Sequence, residues 1–216
     1  MMGMIALSFP SCTGILSGLY DEVGEGSRSR FVEVDKAQGT GTVFVDATDI
    51  TQWTYINFDF QSLQINDIDL DAAAQDPDYD NAEYMKPWHI AMHKWDIRTN
   101  GAEAMETEFS EISDLIASGK VPEGEFTADE MSEVIVDMSQ MMDGIIVSVP
   151  SPVNKVAGKW LDVDTSEMPP IYTESNKVYL IRFKEGDLLA LRFRDYVDDT
   201  YVKGNITFDY MYPVKF

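Results

Sequence analysis

Trp53-Thr54-Tyr55-Ile56-Asn57-Phe58-Asp59-Phe60 sets large apolar side chains against small polar ones in alternating order. The stretch is rich in aromatic and β-branched residues, the composition of a strand packed on at least one side. Upstream, Val43 and Val45 alternate with polar neighbours from Thr42 onward. Downstream, Trp88 to Ile97 is a further strand, ending in the turn pair Asn100-Gly101. Lys177–Phe183 and Leu188–Phe193 read as two strands joined by the tight turn Glu185-Gly186, and Asn205–Tyr212 as the last. Between them the period changes. From Phe126 to Met142 the spacing predicts a helix: Thr127 with Glu130 makes a capping box, Met131, Val134, Ile135, Met138 and Met142 share one face, and Gly144 closes it. Ser151-Pro152 opens a second short helical segment reaching Trp160. There is no βαβ rhythm and no internal repeat. The expectation is a compact, all-β, antiparallel fold with one or two short helical insertions.

The 216 residues, 44% hydrophobic and 12% aromatic, suffice for one sizeable core. Net charge is -22, from 38 acidic against 16 basic residues. Such a surface repels phosphate backbones and anionic membranes, which argues against nucleic-acid binding. The single cysteine, Cys12, excludes an internal disulfide framework and any Cys-based zinc or iron–sulfur site. It ends the short apolar run Met1 to Ser11 and precedes a polar, Gly-rich stretch. That placement reads as a lipoprotein signal whose cysteine becomes the lipidated first residue, the alternative being a buried N-terminal strand with an incidental thiol. No Lys or Arg precedes the run, which leaves room for a start further upstream. No later stretch approaches the roughly 18 apolar residues of a spanning helix, so the chain is expected to be anchored rather than spanning. The organisation that follows is a signal over 1–12, a flexible tether over 13–41 and a β domain over 42–216.

Catalytic signatures are few. The sequence has no Gly-rich phosphate loop, no nucleophile elbow and no cysteine in the folded part. His89 and His93 stand four apart, a helical zinc spacing, but Ile90 occupies the place of the zinc-protease Glu. On a strand, residues four apart sit roughly 13 Å from one another, too far to chelate one ion. Structural histidines are the simpler reading. Asp67-x-Asp69-x-Asp71 resembles the start of a calcium loop, yet Ala72 stands where an EF-hand needs Gly and Asp78 where it needs Glu; a solvated loop is the alternative.

The methionines stand out. Nine of the twelve lie beyond the leader, several in Met138-Ser139-Gln140-Met141-Met142-Asp143-Gly144 and one in Glu167-Met168-Pro169-Pro170. Methionines on a helical face most often fill a core. Met141 falls off that face, and Met168 sits in a loop stiffened by two prolines, where a large apolar side chain needs something to bury against. A flat apolar cofactor would serve. Two thioethers from opposite sides would give a six-coordinate haem iron and favour its ferrous form.

Trp88-His89-Ile90-Ala91-Met92-His93-Lys94-Trp95-Asp96-Ile97-Arg98-Thr99-Asn100-Gly101 resembles the HmuY-like haemophores, whose Trp-Asp-x-Ala strand runs into Asp-x-Arg/Lys-x-Asn. Pro170-x-Tyr172, Val178 to Arg182, Phe193-x-Asp195-Tyr196 and Lys203 to Pro213 are similar to the family's final strands in order and spacing, and the strand around Trp53 and Tyr55 agrees. The likeness runs from about Thr42 to the end, weakest between Glu103 and Val156. It implies a β fold that holds one haem without turnover, on an outer-membrane lipoprotein, surface-exposed or shed. Such a protein takes haem from host carriers and passes it to an outer-membrane transporter. The founding type uses two histidines. Here no histidine follows Trp160, and the resemblance points instead to the branch with methionine ligands: Met168, partnered by Met141, with Met142 as its alternative. Lys155, Lys159 and Arg98 are candidates for the haem propionates, and Trp160 and Tyr172 for flanking the ring. The competing reading is a cell-surface interaction module of the same fold that binds no haem.

Overall fold

The alternating stretches become strands in the computed structural model, which describes residues 28–76, 79–80, 82, 85, 87–166 and 169–216. Seven strands form one antiparallel sheet in the order β1 (Arg30–Asp35), β2 (Thr40–Asp46), β15 (Lys203–Met211), β14 (Leu188–Val197), β13 (Val178–Arg182), β7 (Glu103–Glu106) and β8 (Thr127–Ala128). A four-stranded sheet runs β4 (Ser62–Asp67), β3 (Gln52–Asn57), β5 (Ile90–His93) and β6 (Asp96–Thr99). Val43, Val45, Leu189, Leu191 and Phe208 of the larger sheet meet Ile56, Ile90, Met92 and Ile97 of the smaller in one core. The larger sheet's other face packs Met105, Val178, Leu180 and Ala190 against Leu115 of α2 (Ile112–Ala117).

The smaller sheet is covered on both sides. Ile56 faces the larger sheet, whereas Trp53, Tyr55 and Ala91 join a second cluster with Val134, Val136, Val149 and Val153. The partners in that cluster belong to a hairpin of two further strands, β9 (Glu130–Asp137) and β10 (Val147–Val153). A second two-stranded unit pairs β11 (Leu161–Asp164) with β12 (Ile171–Glu174).

The helix expected over 126–142 is therefore strand, followed by a 3-10 turn at Met141–Asp143. Val134-Ile135-Val136 is a β-branched run, which favours extended backbone, and Thr127 and Glu130 lie in β8 and β9 instead of forming a capping box. Gly144 does end a turn, at φ 78. The segment from Ser151 stays in β10 and becomes helical only in the 3-10 turn Ala157–Trp160. The two α-helices among the described residues lie elsewhere. One is α2, and the other, α1 (Leu70–Gln75), occupies the acidic stretch, where the Asp69 carboxylate accepts from the Ala72 amide. Trp88 to Ile97 splits into the β5–β6 hairpin, turning at Lys94 with φ 51. The folded part also begins before Thr42: β1 lies inside the stretch read as tether, held by Phe31 edge-on to Phe58 and Tyr210. No helix among the described residues is long and apolar enough to cross a membrane.

Both histidines serve packing. His93 is buried, its Nε2 2.8 Å from the Ile50 carbonyl. His89 lies among the rings of Phe58, Phe183 and Tyr212, and its Nδ1 accepts from the Phe58 amide at 3.2 Å. Burial pushes the His89 imidazole below its ordinary value, against the opposing pull of Asp59 and Asp187. The unfolded chain therefore binds this proton more readily than the folded one, so His89 favours folding above about pH 6.5 and progressively less as pH falls. Urea midpoints of the wild type should decline from pH 7.5 to 5.5, and those of His89→Gln should decline less; parallel profiles would show that His89 does not set the slope.

Candidate functional site

Neither two-stranded hairpin belongs to a large sheet, so each must be held by its inner face and its root. In β9–β10 the register sets Met131 opposite Pro152, Glu133 opposite Pro150 and Ile135 opposite Ser148. Val134 and Val136 point to the core, and Met131 and Ile135, of opposite parity, point to solvent. Met131 is 59% exposed and Met142, in the connecting turn, 78%. Ile145 and Ile146 continue this apolar surface. Pro150 and Pro152 remove two amide donors from β10, which suits a strand at an edge.

The roots of the two hairpins are joined by residues 154–160. Asn154 is the knot. Its backbone amide donates to the Ile97 carbonyl at 2.7 Å, and its side-chain amide donates to the Thr127 carbonyl and to Asp129 Oδ1 at 2.9 and 3.0 Å. Its Oδ1 accepts from the Ala157 amide at 2.9 Å. Asp129 in turn accepts from the Thr99 amide at 2.6 Å and hydroxyl at 2.9 Å. Burial raises the Asp129 carboxyl above its ordinary value, opposed by these donors from Thr99 and Asn154. Between the two roots opens a cavity of about 420 Å³ lined by Asp96, Val153, Asn154, Lys155, Lys159 and Leu161 among others.

The expected site residues separate into three groups. Met141 is half-buried in the turn at the end of β9–β10, beside the exposed Met142; Lys155 and Lys159 line the cavity between the roots. The Lys155 ammonium donates to the Ser132 hydroxyl at 2.6 Å, and Lys159 is exposed. Met168, in the connection between β11 and β12, and Cys12 lie outside the described residues. A third group is used by the fold. Trp160 is 1% exposed, stacked on Phe193 at 4.4 Å, and its Nε1 donates to the Trp95 carbonyl, so it is engaged in the core. Tyr172 is half-buried and stacked on Tyr196 at 5.3 Å. Arg98 is buried over Trp53 and Trp88 and clamps Asp80 through two bonds of 3.0 and 2.8 Å. Burial alone would raise the Asp80 carboxyl; the Arg98 hydrogen bonds and charge outweigh it and hold it below the ordinary value. Arg98 is thus committed within the protein.

Sequence reasoning missed the solvent-facing apolar side of β9–β10 and the Thr99–Asp129–Asn154 network. The first had a signal, the even spacing of Met131, Glu133 and Ile135 against Val134 and Val136; the second joins residues 25 to 30 positions apart and had none. Among the described residues no three His, Cys, Asp or Glu side chains converge as a metal site.

The family model described as HmuY protein matches residues 49–210. Among solved structures, a candidate lipoprotein from Bacteroides fragilis is 40% identical, with a TM-score of 0.77, over 86% of this chain and 96% of its own. A candidate HmuY-like haem-binding protein from Bacteroides vulgatus is 37% identical, also at 0.77, over 87% of this chain and 99% of its own. The apo HmuY analogue of Tannerella forsythia is 25% identical at 0.67, over 82% and 96%. No curated protein sequence matches the chain.

The root network makes a direct prediction. Asp129→Ala leaves the Thr99 and Asn154 donors without their acceptor and should lower stability by about 2 kcal/mol in urea unfolding. Hydrogen exchange should speed up in 130–153 more than in β13 and β14. Unchanged exchange in the hairpin would show that its root is held by packing alone.

Proposed function

The chain belongs to the HmuY family, and on that premise we propose that it binds haem against its two hairpins and serves iron acquisition rather than catalysis. The observation that carries this reading is the uncovered apolar face of β9–β10, with Met131, Ile135, Met142, Ile145 and Ile146 at the surface of a chain whose net charge is -22. Solvent-exposed apolar groups grouped on one element mark a binding surface. A flat, largely apolar ligand with two carboxylates suits what lies around it. Apolar side chains offer a wall, and Lys155 and Lys159, which line the cavity between the roots together with Asp96 and Asp162, are the candidate partners of the carboxylates.

Met141 supplies one thioether and Met168, on the neighbouring hairpin's connection, the other. Both donors are soft and uncharged, and neither must lose a proton to bind a metal. Bound haem would supply the iron as cargo. Tyr172, stacked on Tyr196, supports the wall at β12. Trp160 and Arg98 have no part in ligand contact. The family resemblance and the setting of Cys12 support a lipid anchor at the outer membrane, surface-exposed or shed, with haem taken from host carriers and given to an outer-membrane transporter. The 40% identical candidate lipoprotein agrees with the anchor.

Titration of the full chain with hemin, with and without dithionite, should give sharp low-spin bands in the reduced form and raise the melting temperature, because a ligand bound only by the native state stabilises it. Met141→Ala with Met168→Ala should abolish the bands. Bands that survive the double substitution would overturn the ligand assignment. No bands and no thermal shift in the wild type would favour a surface module that docks another macromolecule on the same hairpin.

A further inference from the structure

The described methionines are graded by environment, with Met85 and Met211 half-buried between the extremes. Met92 and Met105 are 0% and 2% exposed, in the cores of the two large sheets. Met131, Met138, Met141 and Met142 all belong to the β9–β10 hairpin and are exposed or half-buried, Met131 and Met142 most of all. Four thioethers within twelve residues, on an element held only by its inner face and root, meet any oxidant in solution before the core does. Their outer neighbours are Ile135, Ile145 and Ile146, which make the surface on which the proposed ligand rests.

We propose that the Met131–Met142 segment is an oxidative modification site, and that its conversion to methionine sulfoxide switches off binding at this hairpin; the second half of this inference rests on the haem-binding reading. The oxidant is hydrogen peroxide. The thioether sulfur gives two electrons to the peroxide O–O bond and forms a new S–O bond, the bond between the oxygens breaks, and the second oxygen leaves as water. The product is a polar, chiral sulfoxide where an apolar, flexible group stood. A sulfoxide at Met142 or Met131 puts a polar oxygen on the apolar wall, and burying it unpaired under a ligand costs binding energy. At Met141 the soft sulfur donor itself is consumed. The inner face carries Val134, Val136, Val149 and Val153, none of which is oxidised, so the hairpin stays attached while its outer face changes. The change is reversible by the reductases that act on the two sulfoxide epimers.

Graded hydrogen peroxide on the full chain, followed by peptide mass mapping, tests the site without any ligand. Oxygen should appear on the peptide spanning 131–142 before it appears on those of Met92 and Met105, with Met168 read from its own peptide. A Met131→Leu, Met142→Leu variant should take up fewer oxygens early. Uptake by Met92 or Met105 at the same rate overturns the site. Hemin titrated into the same samples tests the switch: affinity should fall about tenfold or more with hairpin oxygen, the effect of one unpaired polar group buried, and return with methionine sulfoxide reductases A and B. Affinity that stays constant, or that follows only the Met168 peptide, overturns the switch. If the untreated chain does not bind hemin, the haem reading fails and the switch with it, while the mass map still decides the oxidation site by itself.

Discussion

A hairpin of two strands is marginal in water by itself, and the proposed binding surface is made of two of them. What holds them is the fully enclosed Asn154, which ties Ile97, Thr127, Asp129 and Ala157 together with one backbone and one side-chain amide. Because Thr99 and Ile97 sit on the four-stranded sheet, the hairpin roots inherit the rigidity of the main core. The turn connecting the strands of β9–β10 is closed by local bonds of its own: Met141 donates to the Met138 carbonyl, Asp143 and Ile145 to that of Gln140, and Gly144 to that of Met141. Methionine, unbranched and polarisable, suits that end of the hairpin.

The sequence discloses strands where one face is wet and the other dry, and becomes opaque where both faces are apolar. Lys177–Phe183 and Leu188–Phe193 form β13 and β14 across the tight turn at Gly186, as their pattern says. The β9 segment misleads because Val134 and Val136 serve the core while Met131 and Ile135 serve the outer surface. With apolar residues on both faces the alternation weakens, and residues spaced by three and four then imitate a helix. The same feature that hides the strand from periodicity leaves apolar side chains at its outer surface. β1 is hidden differently: its fold-holding group is one ring, Phe31, in a stretch otherwise dominated by charge and glycine. The roles of Trp160 and Arg98 depend on Phe193 and Asp80, partners that no local pattern brings near them.

Electrostatics shapes what the fold can offer. With 38 acidic side chains in the sequence, arginines are drawn into ion pairs: Arg28 with Asp46 and Asp198, Arg98 with Asp80, Arg182 with Glu103, Arg194 with Glu111 and Asp209. Most of these pairs are solvent-exposed and contribute little each. Their collective effect is on availability, since a guanidinium engaged with a carboxylate is not at hand for an incoming anion. The lysines at the hairpin roots stand apart from that pattern: the Lys155 ammonium meets a hydroxyl rather than a carboxylate.

The two prolines of β10 have a consequence for life at high density. Where copies of a chain meet, an oily, extended strand invites chain-on-chain ladder growth into fibres. Pro150 and Pro152 deprive such growth of successive donors along this strand. The protein can thus carry a sticky hairpin without that hairpin becoming a seed.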